Sequence, residues 1–464
     1  MKQGFARFFL VGLATASLVA CGSDDNDSKA SECSVDEQTG CDSGKVCENV
    51  TGGGVGCFAP VIMRGRVVQS ANPATGVAGS IVVARDINGA LVSRGIDATD
   101  QDGRYELTVP AERASDGTPK VAELTLRADA QGFATFPSGL RVALPVDTTK
   151  PVNSSGKWVI ENPSTDIALD RLPSDAGLGT VRGFVRADEA GGTLIVSGAA
   201  SALAGSNGAF TLFNVPSGSA EIRGYKAGLQ LDPATATVSA GATVEGIELK
   251  SGAAPLGSVS GSVSFVNAGT NQTSVVLVVK STFNAALARG EVPVGLRQFP
   301  VSGQYAFEGV PIGEYVVLAA FENDELVRDP DLSIGGTSIQ SVSVASAPVS
   351  VPGFKITGAL DVMAPGATEP EVVTGTPTFR WADDSSEDGY EVTVYDTFGN
   401  EIFHDPDVAR VTGSPEVSLA YQGPALTPGY YQFRAVSWRA EKGTGAARTY
   451  ISSTEDLKGV FVIR

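Results

Sequence analysis

"GSNGAFTLFNVPSG" (205–218) carries the pattern that decides the fold. Gly208 is followed by one residue and then an aromatic, Phe210; Leu212 stands two further on, and Val215-Pro216 closes the run. A tight turn, alternate apolar residues and a proline at the end describe a half-buried strand entered through a turn. The layout occurs twice more, in "DQDGRYELTVP" (100–110) and "VSGQYAFEGVPIG" (301–313). The pairs Gly103/Tyr105 and Gly303/Tyr305 match Gly208/Phe210, Leu107 and Phe307 match Leu212, and both runs end in Val-Pro. Three occurrences in one order are a repeat, and a repeat sets the architecture before any single element does.

Working outward, each run is preceded by a short strand pattern containing glycine: "RGRVV" (64–68), "VRGFV" (181–185) and "VSGSV" (259–263). Between them lie apolar runs, "AGSIVVARD" (78–86), "GTLIVSG" (192–198) and "SVVLVVKS" (274–281). After the Val-Pro come "LTLRADAQGF" (124–133), "AEIRGYKAGL" (220–229) and "YVVLAAFEN" (315–323). The first unit departs by a polar insertion, "PAERASDGTPKVAE" (110–123). The pattern resembles the carboxypeptidase regulatory-like domain, a transthyretin-like seven-stranded β-sandwich. That resemblance implies a structural or adhesive role and, through its superfamily, a carbohydrate-binding-like fold. Unrelated immunoglobulin-like sandwiches with similar turns are the competing reading.

A different pattern follows "DVMAPGATEPEV" (361–372), which reads as a linker. "TPTFRWADD" (376–384) places Trp381 on an early strand, "DGYEVTVYD" (388–396) alternates cleanly, and "LTPGYYQFRAVSWR" (426–439) is an aromatic-rich strand. This segment resembles a fibronectin type III-like domain, with Tyr430 or Tyr431 as the corner tyrosine that bonds back to the backbone.

The predicted fold class is all-β: tandem β-sandwich domains after a signal peptide and a small disulfide-rich segment. The expected divisions are a lipoprotein signal peptide at 1–20, a flexible acidic tether at 21–32 and a Cys-rich module at 33–60. Three carboxypeptidase regulatory-like sandwiches follow at 61–172, 178–251 and 256–346, and a fibronectin type III-like sandwich at 365–464. Composition agrees with strands and turns rather than helices, with 55 glycines in 464 residues and only 19% charged residues.

The N-terminus reads as an address. Lys2 and Arg7 precede "FFLVGLATASLVA" (8–20), 13 apolar or small residues, too few to span ~30 Å of hydrocarbon as a helix. Leu18-Val19-Ala20-Cys21 resembles the lipobox of bacterial lipoproteins, which implies lipidation of Cys21 as the new N-terminus. Gly22 after it implies the outer membrane, facing either the periplasm or the surface. The expected contacts are therefore the membrane through the anchor, and a cell-envelope protein or polysaccharide.

The five cysteines are Cys21, Cys33, Cys41, Cys47 and Cys57. Setting Cys21 aside for lipid leaves an even set for two disulfides in an oxidising compartment. Three connectivities are open. A zinc knuckle would show C-x2-4-C pairs, which are absent from this stretch.

A net charge of -18 argues against nucleic acid, whose phosphates need clustered Lys and Arg. Catalytic residues, cofactors and metals are not expected, and the chain reads as non-enzymatic. The one histidine, His404, stands beside Asp405 in what reads as a turn, without a nucleophile motif. One histidine cannot supply a multi-His zinc site. "DATDQDGRY" (97–105) fails as a calcium loop because Ala98 and Val109 occupy the two anchor positions. "DDSSED" (383–388) reads as a solvated acidic loop. Trp158 and Trp438 are the candidate sugar-stacking rings, with a buried core role as the plainer reading.

Overall fold

The computed structural model describes residues 33–35, 38–86, 91–93, 97–137, 142–266, 272–285, 289–319, 326–328, 339–384, 386–440 and 448–464. Cys21 and the segments expected to be a signal peptide (1–20) and a tether (21–32) lie outside them. The described chain is all-β, with only two 3-10 turns, Pro163–Thr165 and Lys280–Thr282, as helical structure. No helix among the described residues is long and apolar enough to cross a membrane.

The second unit shows the repeat in its plainest form. Leu178–Arg186 lies between Ala209–Pro216, antiparallel, and Thr243–Lys250, parallel. Facing it is a four-stranded sheet in the order Ala200–Leu203, Leu194–Ser197, Gly218–Tyr225, Ala234–Val238. Val181, Ile195, Leu212, Val215, Ile222 and Leu249 fill the space between. The third unit repeats this with Gln304–Val310, Gly257–Phe265 and Phe354–Gly358 in one sheet. Arg297–Val301, Thr273–Val279, Gly313–Ala319 and Gln340–Val344 make the other. In the first unit, Val61–Gln69 pairs antiparallel with Arg104–Val109 and parallel with Lys157–Ile160 and Ile167–Leu169.

One joint recurs in all three. The aromatic of the motif lies opposite the glycine of the opening strand: Gly65 with Tyr105, Gly183 with Phe210, Gly261 with Tyr305. A Cβ on any of these glycines would meet the facing ring, at 2.9 Å from the Tyr105 hydroxyl and 2.7 Å from Phe210 Cζ. The carbonyl of the turn glycine accepts from a valine of the opening strand: Val67 to Gly103 (2.7 Å), Val185 to Gly208 (2.8 Å) and Val263 to Gly303 (2.8 Å). Gly103 and Gly208 take φ of +78° and +79°, which a side chain would strain.

The structure moves two expected boundaries. The third unit does not end at 346, because Val349–Ser350 and Phe354–Gly358 pair in parallel with its opening strand and complete its sheet. The stretch expected as a linker, 361–372, is largely built into the last unit. Val362–Ala364 pairs with Thr378–Ala382, and Glu371–Val373 pairs with Val460–Ile463. Pro365 and Pro370 fall in the bend between Val362–Ala364 and Glu371–Val373, so neither removes a ladder hydrogen bond.

The last unit packs a three-stranded sheet, Val362–Ala364, Thr378–Ala382 and Glu416–Ala420, against a six-stranded one. The long strand Gly429–Ala440 runs through the larger sheet, flanked by Gly389–Asp396, Arg448–Ser453 and Val460–Ile463. Its core is aromatic: Phe379 stacks on Phe433 at 4.7 Å, and Trp381 meets Tyr390 edge-on at 5.5 Å. Tyr431 is the residue that bonds back, its hydroxyl donating to Thr427 O at 2.8 Å. Tyr430, one step along, points the other way and reaches the first unit.

Candidate functional site

The four cysteines of the small module close Cys33–Cys47 and Cys41–Cys57. The Sγ atoms of Cys33, Cys41 and Cys47 lie within 4.8 Å of one another, so the two bridges form one knot. Beside it, Val46–Asn49 and Val55–Phe58 make a hairpin. The polar insertion of the first unit is what grips this hairpin. Glu48, 2% exposed, receives Arg113 Nε at 2.5 Å and the Ala111 amide at 3.1 Å. Arg113, fully buried, also donates to Ala59 O, and its backbone pairs with Asn49 and Thr51. A paired, hydrogen-bonded buried charge is tolerated where a lone one is not. The insertion is therefore a departure from the repeat with a structural role of its own, holding the neighbouring module.

A second buried charge cluster joins the first three units. Arg127 is 1% exposed on strand Thr125–Asp129 of the first unit. It donates to both oxygens of Asp129, to the Ser201 carbonyl and hydroxyl in the second unit, and to Glu291 in the third. Arg85 holds the other Glu291 oxygen at 2.6 Å. Burial alone would raise the Glu291 carboxyl. The guanidiniums of Arg127 and Arg85 outweigh it and draw the carboxyl down to about 2. Asn214, at φ +59°, adds a second clasp between units one and two. Its carboxamide accepts from Gly132 N and donates to Ala130 O and Phe133 O.

The last unit folds back onto the first. Val142, Leu144, Tyr430 and Val460 share a core, the Tyr430 hydroxyl donates to Asp147 at 2.5 Å, and Gly399 lets the Val142 backbone approach. Asp456 of the last unit pairs with Arg289 of the third and with Arg434. The units thus close on one another.

Units two and three also share a core, in which Leu194, Val196 and Tyr225 pack with Val279, Tyr315 and Val344. Tyr225 meets Tyr315 edge-on at 5.9 Å. Above that core opens a cleft of about 620 Å³, within the usual range for small-molecule sites. Its floor is apolar, with Val196, Tyr225, Val279, Ile312 and Val344. Its walls carry Ser197, Ser217, Ser219, Ser281 and Ser343, with Glu221 and Arg223 on one side and Glu314 on the other. Arg223 binds Glu221 at 2.6 Å, which raises the guanidinium, and Lys280 stands 3.7 Å from Glu314. A smaller cavity, about 380 Å³, lies between units one and two beside Arg127 and Asp129.

The other sequence candidates have structural employment. His404 is on strand Glu401–Ala409, not in a turn, with Nε2 2.8 Å from Glu391. Glu391 also accepts from the Tyr450 hydroxyl. Trp438 is covered by Arg448 at 3.9 Å on its ring and by Gly389, where a Cβ would come within 2.6 Å. Trp158 is half-buried against the first core. Asp100 accepts from the amides of Asp102 and Arg104, and Asp102 pairs with Arg104, so both serve the turn. Asp383 accepts from Tyr390 and Asp384 from Ser437; burial raises the Glu387 carboxyl beside them.

Arg127, Glu291, Asn214 and the cleft were missed by sequence reasoning. "LTLRAD" alternates cleanly: Leu124, Leu126 and Ala128 face the core, and Arg127 falls on the polar face with Thr125 and Asp129, so nothing in the stretch marks it as buried or names its partner.

No protein-family model and no curated protein matches the chain. Among solved structures it is similar to the Bacillus anthracis TIE protein, at 12% identity over 86% of this chain and 72% of that one, with a TM-score of 0.16. A streptococcal ancillary pilin matches at 12% identity over 64% of this chain and 99% of its own, TM-score 0.16. A DUF3823 family protein from Bacteroides uniformis matches at 13% over 43% and 98%, TM-score 0.17.

Proposed function

We propose that the chain is a non-enzymatic outer-membrane lipoprotein, anchored through Cys21, that serves a structural, adhesive or protein-binding role at the cell envelope. The anchor rests on the lipobox-like Leu18-Val19-Ala20-Cys21 alone, and the observation that carries the structural role is the Arg127 joint. One buried guanidinium ties three sandwiches together, and the fourth closes back on the first, so the described units form one braced body. A braced body suits holding and presenting surfaces. Arg127, Asp129 and Glu291 bond to one another across the joint, which supports a bracing role for these charges. Metabolic labelling with a fatty-acid analogue tests the anchor: wild type is labelled and Cys21→Ser is not, and equal labelling of both refutes it. Protease shaving of intact cells then separates surface from periplasm.

A carbohydrate-binding role is the second reading. The hydroxyl-lined cleft between units two and three favours it.

A further inference from the structure

We infer that the cleft between units two and three is a binding site for a neutral oligosaccharide. The inference rests on the second functional reading and gives it a place and a chemistry. Three observations converge. First, the wall is rich in hydroxyls: Ser217, Ser219, Ser281 and Ser343 are exposed along it, and Ser197 sits at its base. Hydroxyls both donate and accept, which matches a ligand whose own groups do both.

Second, the charges of the cleft are matched within the protein. Glu221 is held by Arg223, and Glu314 lies against Lys280. An anionic ligand would have to displace Glu221 from the guanidinium, and a cationic one would have to compete with Arg223 or Lys280 for the carboxylates. A neutral ligand bonds to the pairs as they stand. Third, the floor of Val196, Val279, Ile312 and Val344 offers an apolar surface for the C–H faces that alternate with hydroxyls on a pyranose. The two walls come from different units. The Arg127 joint and the Tyr225–Tyr315 contact hold those units at a set distance, so the site is formed before the ligand arrives.

The test uses the full chain carrying Cys21→Ser, so that lipid plays no part in the readout. It is applied to immobilised hexaoses of β-1,4-glucose, α-1,4-glucose, β-1,4-xylose and α-mannose, with polygalacturonate and chitosan hexaoses as charged comparators. Binding to at least one neutral series is expected, stronger than to either charged one. Ser219→Trp and Ser343→Trp place a ring in the cleft from opposite walls. Each should weaken binding at least about tenfold with an unchanged melting temperature. Tyr450→Ala removes the most open aromatic of the last unit and should leave binding unchanged. The inference is overturned if no neutral series binds, if both tryptophan variants bind like the parent, or if Tyr450→Ala abolishes binding. Loss of the anchor in the labelling experiment leaves these outcomes untouched, so the two readings fail separately.

Discussion

Replacing Glu291 by alanine removes the carboxylate that bridges Arg127 and Arg85 across the first and third units. Arg127 keeps Asp129 and the Ser201 groups, but one of its guanidinium nitrogens then faces a buried gap. Breaking a buried pair by deleting one partner costs about 3–5 kcal/mol. The carboxyl itself gives a second route to the magnitude. At about 1.4 kcal/mol per tenfold, a carboxyl drawn from its ordinary 4.5 to about 2 contributes about 3 kcal/mol. Against its burial, Asp129 and then Glu291 raise the Arg127 guanidinium; the Glu291 share is the same interaction and is not added.

The sign follows from the lowered carboxyl. Its stabilisation is complete above pH 4.5, where the unfolded group is also ionised, and disappears as pH falls through about 2. Calorimetry on the full chain should show Glu291→Ala about 3 kcal/mol less stable than wild type at pH 7. The gap should narrow below pH 4.5 and nearly close at pH 2. Hydrogen exchange should quicken in strands Ile81–Arg85, Thr125–Asp129 and Ala200–Leu203 and leave the last unit unchanged. A loss under about 0.5 kcal/mol at pH 7, or a gap independent of pH, would refute the reasoning.

The remaining predictions use the same contacts. The Tyr305 hydroxyl is buried and has no hydrogen-bond partner among the described residues, whereas Tyr105 at the same repeat position donates to Thr165 O at 2.6 Å and unit two carries Phe210 there. Tyr305→Phe should leave stability unchanged or raise it by about 1 kcal/mol, while Tyr105→Phe should cost about 1 kcal/mol in denaturant titration. Glu48→Ala leaves Arg113 buried and unpaired. It should cost about 3–5 kcal/mol and free the disulfide hairpin to proteolysis at Phe58, with the β units staying intact. Gly399→Ala adds a Cβ that collides with the Val142 carbonyl at a φ of +74°. Exchange at 142–146 and 429–432 should accelerate as the last unit lifts off the first. Reducing both disulfides should remove up to about 3 kcal/mol each; the expected readout is loss of exchange protection in Val46–Phe58 alone.

Much of the fold was legible because its signals are local. The turn glycine, the aromatic two residues on and the Val-Pro all lie on one strand and its own turn, and those strands appear as Arg104–Val109, Ala209–Pro216 and Gln304–Val310. The glycine of "VRGFV" was visible as part of the repeat, but its reason, the Phe210 ring lying against it, was not. The strand Glu371–Val373 was hidden because it is short and its partner, Val460–Ile463, lies at the far end of the chain. The role of the insertion at 110–123 was hidden because its partner, Glu48, belongs to another module.

The sequence alone determined the all-β class, the order of the repeats and an even set of four cysteines once Cys21 is set aside. Each of these depends on periodicity, turn chemistry or counting, which operate within a few residues. Only the tertiary structure decided which cysteines join, that Arg127 meets a carboxylate 164 residues away, and that two units leave a hydroxyl-lined cleft between them. The physical reason is that burial selects partners by position in space. A guanidinium taken out of water must find carboxylates and carbonyls where the packed units present them, whatever their distance along the chain.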